Sequence, residues 1–256
     1  MKNTISYLTL ALLSASQLHA QTAADSAYVR DHYEKTEVAI PMRDGKKLFT
    51  AIYSPKDKSK KYPVLLNRTP YTVSPYGQNE YKKSLGNFPT MMREGYIFVY
   101  QDVRGKWMSE GEFEDVRPTT YSKDKKAIDE STDTYDALEW LQKNLKNYNG
   151  KAGLYGISYP GFYSTVGLVK THPSLKAVSP QAPVTDWYIG DDFHHNGVLF
   201  LQDAFTFMST FGVPRPKPIT PDQFKSKIQI KEADKYNFFL EAGTARELKE
   251  KYFGDS

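Results

Sequence analysis

The stretch AGLYGISYPGFYSTVGLVK, residues 152–170, decides the fold. Its first seven residues predict a buried β-strand, and residues 162–170 predict a helix that ends before His172-Pro173. Gly156 and Gly161 flank Ser158 at the join between the two. Small residues let backbone pass close to such a turn, and the turn lifts the serine hydroxyl above the sheet. The stretch therefore predicts a nucleophilic serine, with a plain glycine-rich turn as the alternative.

One position departs from the usual G-x-S-x-G pattern. Pro160 stands where that pattern has its second glycine. Proline is tolerated in the first turn of a helix, so the turn survives if the helix begins near Pro160. The N-terminus of that helix would favour negative charge developing near Ser158.

The flanking sequence alternates strands and helices. Strand, helix, strand, helix, strand is typical of a doubly wound, mostly parallel α/β sheet. A helix between Ser131 and Gly150 is capped by Ser131 or Thr132, and Gly150 ends that region. The remaining elements are a hairpin from Thr36 turning at Arg43-Asp44-Gly45, strands over 62–71, 96–100 and 175–184, a short helix over 88–94, and two helices over 231–252 broken at Gly243.

Composition excludes several classes of protein. The 256 residues are 39% hydrophobic and 25% charged, which is globular composition. The net charge of +4 comes from interspersed residues with no basic stripe, so no nucleic-acid partner is predicted. The absence of cysteine excludes disulfides, thiolate metal sites and a cysteine nucleophile. No cofactor and no metal site are predicted.

The N-terminus, MKNTISYLTLALLSASQLHAQT, is typical of a secretory signal peptide. Residues 5–15 are apolar but too few to span a bilayer, and cleavage is expected after Ala20. We expect residues 1–20 to be the signal peptide and residues 21–35 a polar linker, in a periplasmic or secreted protein with no membrane contact after cleavage. A buried N-terminal helix and a retained anchor are the alternatives.

Four motifs in a consistent order resemble a known group of serine hydrolases. They are RTPY (68–71), QDVRGKWMSEGEF (101–113), GISYPG (156–161) and VTDWYIGDDFHHNG (184–197). Residues 34–256 resemble the group that contains cocaine-esterase-like enzymes, X-prolyl dipeptidyl peptidases and α-amino acid ester hydrolases, and the last motif is most similar to the α-amino acid ester hydrolase branch, often labelled glutaryl-7-aminocephalosporanic acid acylase. The resemblance implies an α/β-hydrolase fold.

The resemblance also implies roles for four residues. Ser158 would be the nucleophile, and the backbone N–H of Tyr159 and the hydroxyl of Tyr71 would stabilise the oxyanion. Asp192 would bind the α-ammonium group of the substrate, although Asp191 and Asp192 could instead cap the next helix. Tyr71 could likewise be one of the many tyrosines that only pack. In the middle motif, Arg104 and Trp107 are expected to shape a loop, with no chemical role.

The catalytic acid and histidine of such a hydrolase follow the nucleophile in the order Ser, Asp, His. His172 ends the predicted helix, while His194 and His195 lie at the start of what the resemblance makes an inserted cap. We therefore expect the triad Asp and His, with a C-terminal β-sandwich (jelly-roll) domain, beyond Ser256. The expected parts are residues 36–188, the N-terminal part of the hydrolase domain, and residues 189–256, the start of a helical cap. On this reading the chain alone is inactive and folds poorly.

The predicted function is a secreted serine hydrolase that forms an acyl-enzyme with esters or amides of α-amino acids, including β-lactam-type acyl compounds. An X-prolyl dipeptidyl peptidase and a carboxylesterase of the same fold are the alternatives within the class. A non-catalytic secreted binding protein on a hydrolase scaffold is the alternative from another class. The expected partners are a small ester, amide or peptide substrate and other copies of the chain in a homo-oligomer.

Overall fold

A computed structural model describes residues 23–86, 89–120, 124, 126–186, 189–190, 192–212, 215, 217–224, 235–252 and 254. Its centre is a six-stranded sheet in the order β1-β2-β4-β3-β5-β6. β1 and β2 form an antiparallel hairpin, and β2 runs antiparallel to β4. The strands β4, β3, β5 and β6 are parallel to one another. The strands are β1 (Tyr33–Pro41), β2 (Lys47–Pro55), β3 (Tyr62–Thr69), β4 (Ile97–Asp102), β5 (Tyr148–Ile157) and β6 (Leu175–Gln181).

Helices cover both faces of this sheet. Because successive side chains of a strand point to opposite faces, Ile52 packs in one core cluster and Tyr53 in the other. The first face packs against α3, and the second against α1 and α2. The helices are α1 (residues 23–32), α2 (Pro89–Arg93), α3 (Glu130–Asn144) and α4 (Tyr159–Val166). The predicted doubly wound α/β architecture is confirmed.

The ends of two predicted helices differ from the prediction. Asp129, and not Ser131 or Thr132, caps α3: its carboxylate accepts from the Thr132 N–H at 2.7 Å, and the Thr132 hydroxyl accepts from the Asp129 N–H at 2.9 Å. Gly150 lies inside β5, since α3 already ends at Asn144. α4 ends at Val166, four residues before Lys170, the last residue of the predicted helix. Local pattern located both helices, while packing set their ends.

The predicted linker over 21–35 is wrong for the residues that the structure describes. Residues 23–32 form α1, and β1 begins at Tyr33 rather than at Thr36. Val29 is fully buried against the sheet, and Asp25 forms an ion pair with Arg93 at 3.0 Å. A single buried valine and one ion pair are too weak a local pattern to predict a helix from sequence. Residues 1–22, which include the predicted signal peptide, lie outside the described residues.

The region expected to begin a helical cap starts with a short hairpin. β7 (His194–His195) pairs with β8 (Val198–Leu199), and Asn196 and Gly197 between them both have positive φ. Next come α5 (Leu201–Phe211), a 3₁₀ turn at Pro221–Gln223, and two helices on either side of Gly243, as predicted: α6 (Lys235–Ala242) and α7 (Ala245–Tyr252). Among the described residues, no helix is both long and apolar enough to cross a bilayer.

A buried charge network joins the sheet to α3. Arg68, on β3, lies 3.1 Å from a carboxylate oxygen of Glu130 and 3.6 Å from Asp133. Arg104 follows β4 and binds Asp133 at 2.6 Å and Asp44 at 2.7 Å. Arg68, Arg104, Glu130 and Asp133 are all at most 4% exposed. The network therefore anchors the loop after β4 to the start of α3, as Arg104 was expected to do.

Replacing Arg104 by methionine (Arg104→Met) should lower the free energy of unfolding by about 3–5 kcal/mol, because the buried Asp133 loses its closest cation. Arg43→Met is the matched control. Arg43 binds Asp136 at 2.8 Å on the partly exposed side of the same helix, so its loss should change stability by about 1 kcal/mol or less. Urea unfolding of both variants measures the difference, and equal destabilisation would contradict this account of the network.

Candidate active site

The turn after β5 has the strained geometry that a raised serine requires. Ser158 has φ +61° and ψ −123°, a backbone conformation that non-glycine residues rarely adopt. A Cβ at Gly156 would lie 2.2 Å from the backbone carbon and oxygen of Pro160, so no side chain fits there. α4 begins at Tyr159 with Pro160 in its first turn, as predicted.

The second glycine of the motif serves the other side of the turn. A Cβ at Gly161 would lie 2.8 Å from the Gln181 carbonyl oxygen and 3.1 Å from the Cα of Pro183. The Ser158 N–H donates to the same Gln181 carbonyl at 3.0 Å. Because β6 ends at Gln181, the segment after β6 is held directly beside the serine.

Tyr71, for which the resemblance implied a role at the oxyanion, lies beside Ser158. β3 ends at Thr69, and after Pro70 the Tyr71 N–H donates to the Thr69 hydroxyl at 3.0 Å. The Tyr71 hydroxyl is within hydrogen-bonding reach of the Ser158 side chain. Burial raises the pKa of Tyr71, the Asp192 carboxylate raises it further, and the hydrogen bond with Ser158 opposes the rise. The phenol is therefore a neutral hydrogen-bond donor at neutral pH.

The Tyr159 side chain is locked, which fixes the backbone beside the serine. Its hydroxyl donates to Asp115 at 2.7 Å and accepts from the Val116 N–H at 2.7 Å, and its ring stacks on Tyr163. The backbone N–H of Tyr159 lies at the start of α4, where amide groups point away from the helix body and the helix dipole favours negative charge. The Tyr159 N–H and the Tyr71 hydroxyl are thus two donors beside Ser158, the arrangement that an oxyanion needs.

An acidic cavity opens on one side of Ser158. It has a volume of about 190 Å³ and is lined by Ser158, Asp186, Asp192 and the segment after β6. Asp192 is close enough to Tyr71 to affect its pKa, so the carboxylate and the phenol belong to one site. Asp191, which the sequence left as an alternative, lies outside the described residues.

The middle motif forms a tight loop that supports Tyr71 from below. Asp102 is fully buried and accepts from the Val73 N–H at 3.1 Å and from the Tyr76 hydroxyl at 2.8 Å. Burial raises the pKa of Asp102 to about 7, and the hydrogen bonds from Tyr76 and the backbone oppose this rise. The Trp107 indole donates to the Pro70 carbonyl at 3.2 Å. Trp107 therefore holds the residue before Tyr71, in agreement with its predicted role in the loop.

A second cavity, which the sequence did not predict, borders Tyr71. It has a volume of about 340 Å³, and most of its wall is aromatic. Tyr71, Trp107 and the α5 residue Phe211 line it, together with Lys106. No local pattern indicates this cavity, because α5 and the loop after β4 are about a hundred positions apart in the chain.

Two of the histidines are engaged elsewhere. His172 is buried, with one ring nitrogen 2.7 Å from the Ser174 hydroxyl and the other 2.9 Å from Glu139. His32 stacks on Tyr28 in α1. The described residues contain no group of three or more His, Asp or Glu side chains that could hold a metal ion.

Known proteins share this sequence and fold. Cocaine esterase from Rhodococcus sp. (strain MB1 Bresler) is 29% identical over 177 residues, which are 69% of this chain and 28% of that protein. An aminopeptidase from a marine sediment archaeon (Thaumarchaeota archaeon) aligns with a TM-score of 0.72 and 33% identity over 86% of this chain and 36% of its own. An α-amino acid ester hydrolase aligns with a TM-score of 0.72 and 34% identity over 87% of this chain and 36% of its own.

The chain thus spans about a third of the length of these relatives. The resemblance inferred from the four motifs is confirmed, and so is the α/β-hydrolase fold. The model of the family described as X-Pro dipeptidyl-peptidase (S15 family) matches residues 44–249, which is most of the chain. This protein therefore belongs to the X-Pro dipeptidyl-peptidase (S15) family.

Proposed function

We propose that this chain carries the nucleophile and the oxyanion site of a serine hydrolase that cleaves esters or amides of α-amino acids. The observation that carries the proposal is the contact between the Tyr71 hydroxyl and Ser158 at a strained turn that begins a helix. A plain glycine-rich turn has no need for a phenol on its serine. A binding protein on a hydrolase scaffold has no need for both strain and a second donor.

The proposed reaction has two steps. The Ser158 oxygen attacks the substrate carbonyl carbon, its proton passes to a general base, and the carbonyl oxygen becomes an oxyanion that accepts from Tyr71 and from the Tyr159 N–H. The bond to the leaving group then breaks, and the base returns the proton to that group. Water attacks the acyl-enzyme in the same way and releases the acid. The general base and its acid partner stay predictions, since His172 is bound to Ser174 and Glu139.

Asp192 supplies the proposed specificity for the acyl group. Its carboxylate lines the acidic cavity beside Ser158, at the place where the substituent next to the scissile carbonyl would lie. An ammonium group there gains a charged partner, which an analogue without the amine does not. The signal peptide inferred from residues 1–20 leads us to propose that the enzyme acts outside the cytoplasm, on small substrates, with homo-oligomers as its expected assembly.

Release of X-Pro dipeptides from peptides is the second candidate, and the family description supports it. Comparing a free amino acid methyl ester with an X-Pro anilide at equal concentration separates the two. Faster turnover of the ester supports the amino acid ester activity. Faster turnover of the anilide favours the peptidase.

The natural protein should react covalently with a fluorophosphonate probe at Ser158, and Ser158→Ala should lose both the labelling and the ester hydrolysis. Intact mass and peptide mapping after labelling give the readout. Ser179→Ala is the control, because Ser179 is an exposed serine of the neighbouring strand β6 and should leave both unchanged. Labelling that persists in Ser158→Ala, or an unlabelled natural protein, would refute the proposed nucleophile.

Tyr71→Phe should lower kcat/KM for ester hydrolysis by about 10²–10³-fold, because the oxyanion loses one of two donors. The ring contacts with Tyr159 and Phe211 remain, so the fold should be retained. Tyr28→Phe removes a hydroxyl on α1 whose hydrogen bond goes to the Arg93 carbonyl at 3.5 Å. This variant should have wild-type kinetics. Steady-state kinetics of both variants make the test, and an unchanged kcat/KM in Tyr71→Phe would exclude this role.

Asp192→Asn should abolish the preference for a free α-amine. The ratio of kcat/KM for an amino acid ester to that for its N-acetyl derivative should fall about tenfold or more, since a charged pair becomes a neutral contact. Asp186→Asn changes another carboxylate of the same cavity and serves as the comparison. If Asp186→Asn alone alters the ratio, the ammonium site belongs to Asp186.

A further inference from the structure

The aromatic cavity beside Tyr71 has the size and the walls of a binding site for one ring or a short chain. Its volume is about 340 Å³, within the range of small ligand pockets. Trp107 and Phe224 meet edge to face at 5.9 Å on one side, while Phe207 and Phe211 stack at 4.4 Å on the other. The Tyr71 ring contacts Phe211 at 5.9 Å and forms the wall nearest Ser158.

A buried cation lines this apolar cavity. Lys106 is only 7% exposed, and its ammonium lies 3.8 Å from the ring centre of Phe211 and 4.0 Å from that of Phe113. Within the described part of the chain, its hydrogen-bond acceptor is the Phe211 carbonyl, at the end of α5. An ammonium has three N–H donors, and a buried charge gains from an anion within hydrogen-bonding distance. The lysine is therefore poised for an anion in the cavity.

Arg215 adds a second positive charge but is already committed. Its guanidinium donates to the carbonyls of Gly105, Trp107 and Ser109, which close the loop after β4. Burial lowers the pKa of Lys106 to about 8, the nearby Arg215 lowers it further, and Asp115 opposes the shift. Arg215 thus shapes the cavity and makes it electropositive, while Lys106 is the group with donors to offer.

The two cavities border the Ser158–Tyr71 pair, one at Ser158 and the other at Tyr71, and they differ in charge. One is acidic and contains Ser158 and Asp192, and the other is aromatic and cationic and contains Tyr71 and Lys106. The two substituents of a scissile carbonyl point away from each other. If the acyl group with its ammonium occupies the acidic cavity, the aromatic cavity is left for the leaving group.

We propose that the aromatic cavity is the leaving-group site, and that it selects leaving groups with an apolar ring or chain and a carboxylate that binds Lys106. This inference rests on the proposed function and names the second half of its substrate. The preferred substrate then has a free amine at one end and a carboxylate at the other, as in a dipeptide or the ester of an amino acid with a hydroxy acid.

The test uses three alanyl esters with the natural full-length enzyme: the methyl ester, the 2-phenylethyl ester and the ester of 3-phenyllactate. The phenylethyl and methyl esters together measure the apolar contribution to kcat/KM. The phenyllactate and phenylethyl esters together measure the contribution of the carboxylate. We expect the phenyllactate ester to exceed the phenylethyl ester by about tenfold, as a charge-assisted hydrogen bond provides. This ratio should fall as the pH rises through 8, where Lys106 loses its proton. The titration of the catalytic base affects both esters equally, so it cancels in the ratio.

Lys106→Met should reduce the ratio of phenyllactate to phenylethyl ester about tenfold and leave the ratio of phenylethyl to methyl ester unchanged. Lys82→Met is the matched control. Lys82 is a half-buried lysine with a pKa lowered by burial to about 8 and an aromatic ring, that of Tyr100, at 4.8 Å, but it lies at a different cavity. It should change neither ratio.

Phe224→Ala gives a second, independent variant, since Phe224 lines the cavity outside the core clusters of the sheet. It should reduce the ratio of phenylethyl to methyl ester about fivefold. Unchanged ratios in both Lys106→Met and Phe224→Ala overturn the proposal. It is also overturned if the effect of these substitutions on kcat/KM depends on the acyl group in a series of methyl esters. Failure to hydrolyse any ester, with no labelling of Ser158, would instead refute the proposed function itself.

Discussion

The turn between β5 and α4 has no room for a side chain at two positions, and this constraint organises the rest of the site. A Cβ at Gly156 would collide with the backbone of Pro160, and one at Gly161 would collide with the carbonyl of Gln181. Close approach of these backbones lets α4 start directly above the sheet and forces Ser158 to a positive φ. The segment after β6, which lines the acidic cavity, is held in place by the same contact.

The other half of the site depends on buried charge. Arg104 and Asp102 hold the loop after β4, one through ion pairs with Asp133 and Asp44 and the other through hydrogen bonds to the segment after Tyr71. Each is costly to bury alone, and each is satisfied by groups from a distant part of the chain. The position of Tyr71 beside Ser158 is thus a consequence of this packing.

Charge separates the two sides of the site. The acidic cavity borders Ser158, and the aromatic, cationic cavity borders Tyr71. If these are the proposed acyl and leaving-group sites, a substrate with opposite charges at its two ends binds in one orientation only. Orientation by charge gives specificity through both substituents of the carbonyl, which an apolar cleft alone would not provide.

The sequence by itself determined the elements whose signals are local: the hairpin, the parallel strands, the serine turn and the motifs that identified the family. The family resemblance that these motifs carry also implied roles for Tyr71 and Asp192. It failed for α1, where one buried valine provides most of the packing, and for the cap of α3. Only the tertiary structure decided that Lys106 and Phe211 share a cavity beside Tyr71. The reason is physical: a periodic pattern reports which face of an element is apolar, but contacts between distant segments depend on how the whole chain packs.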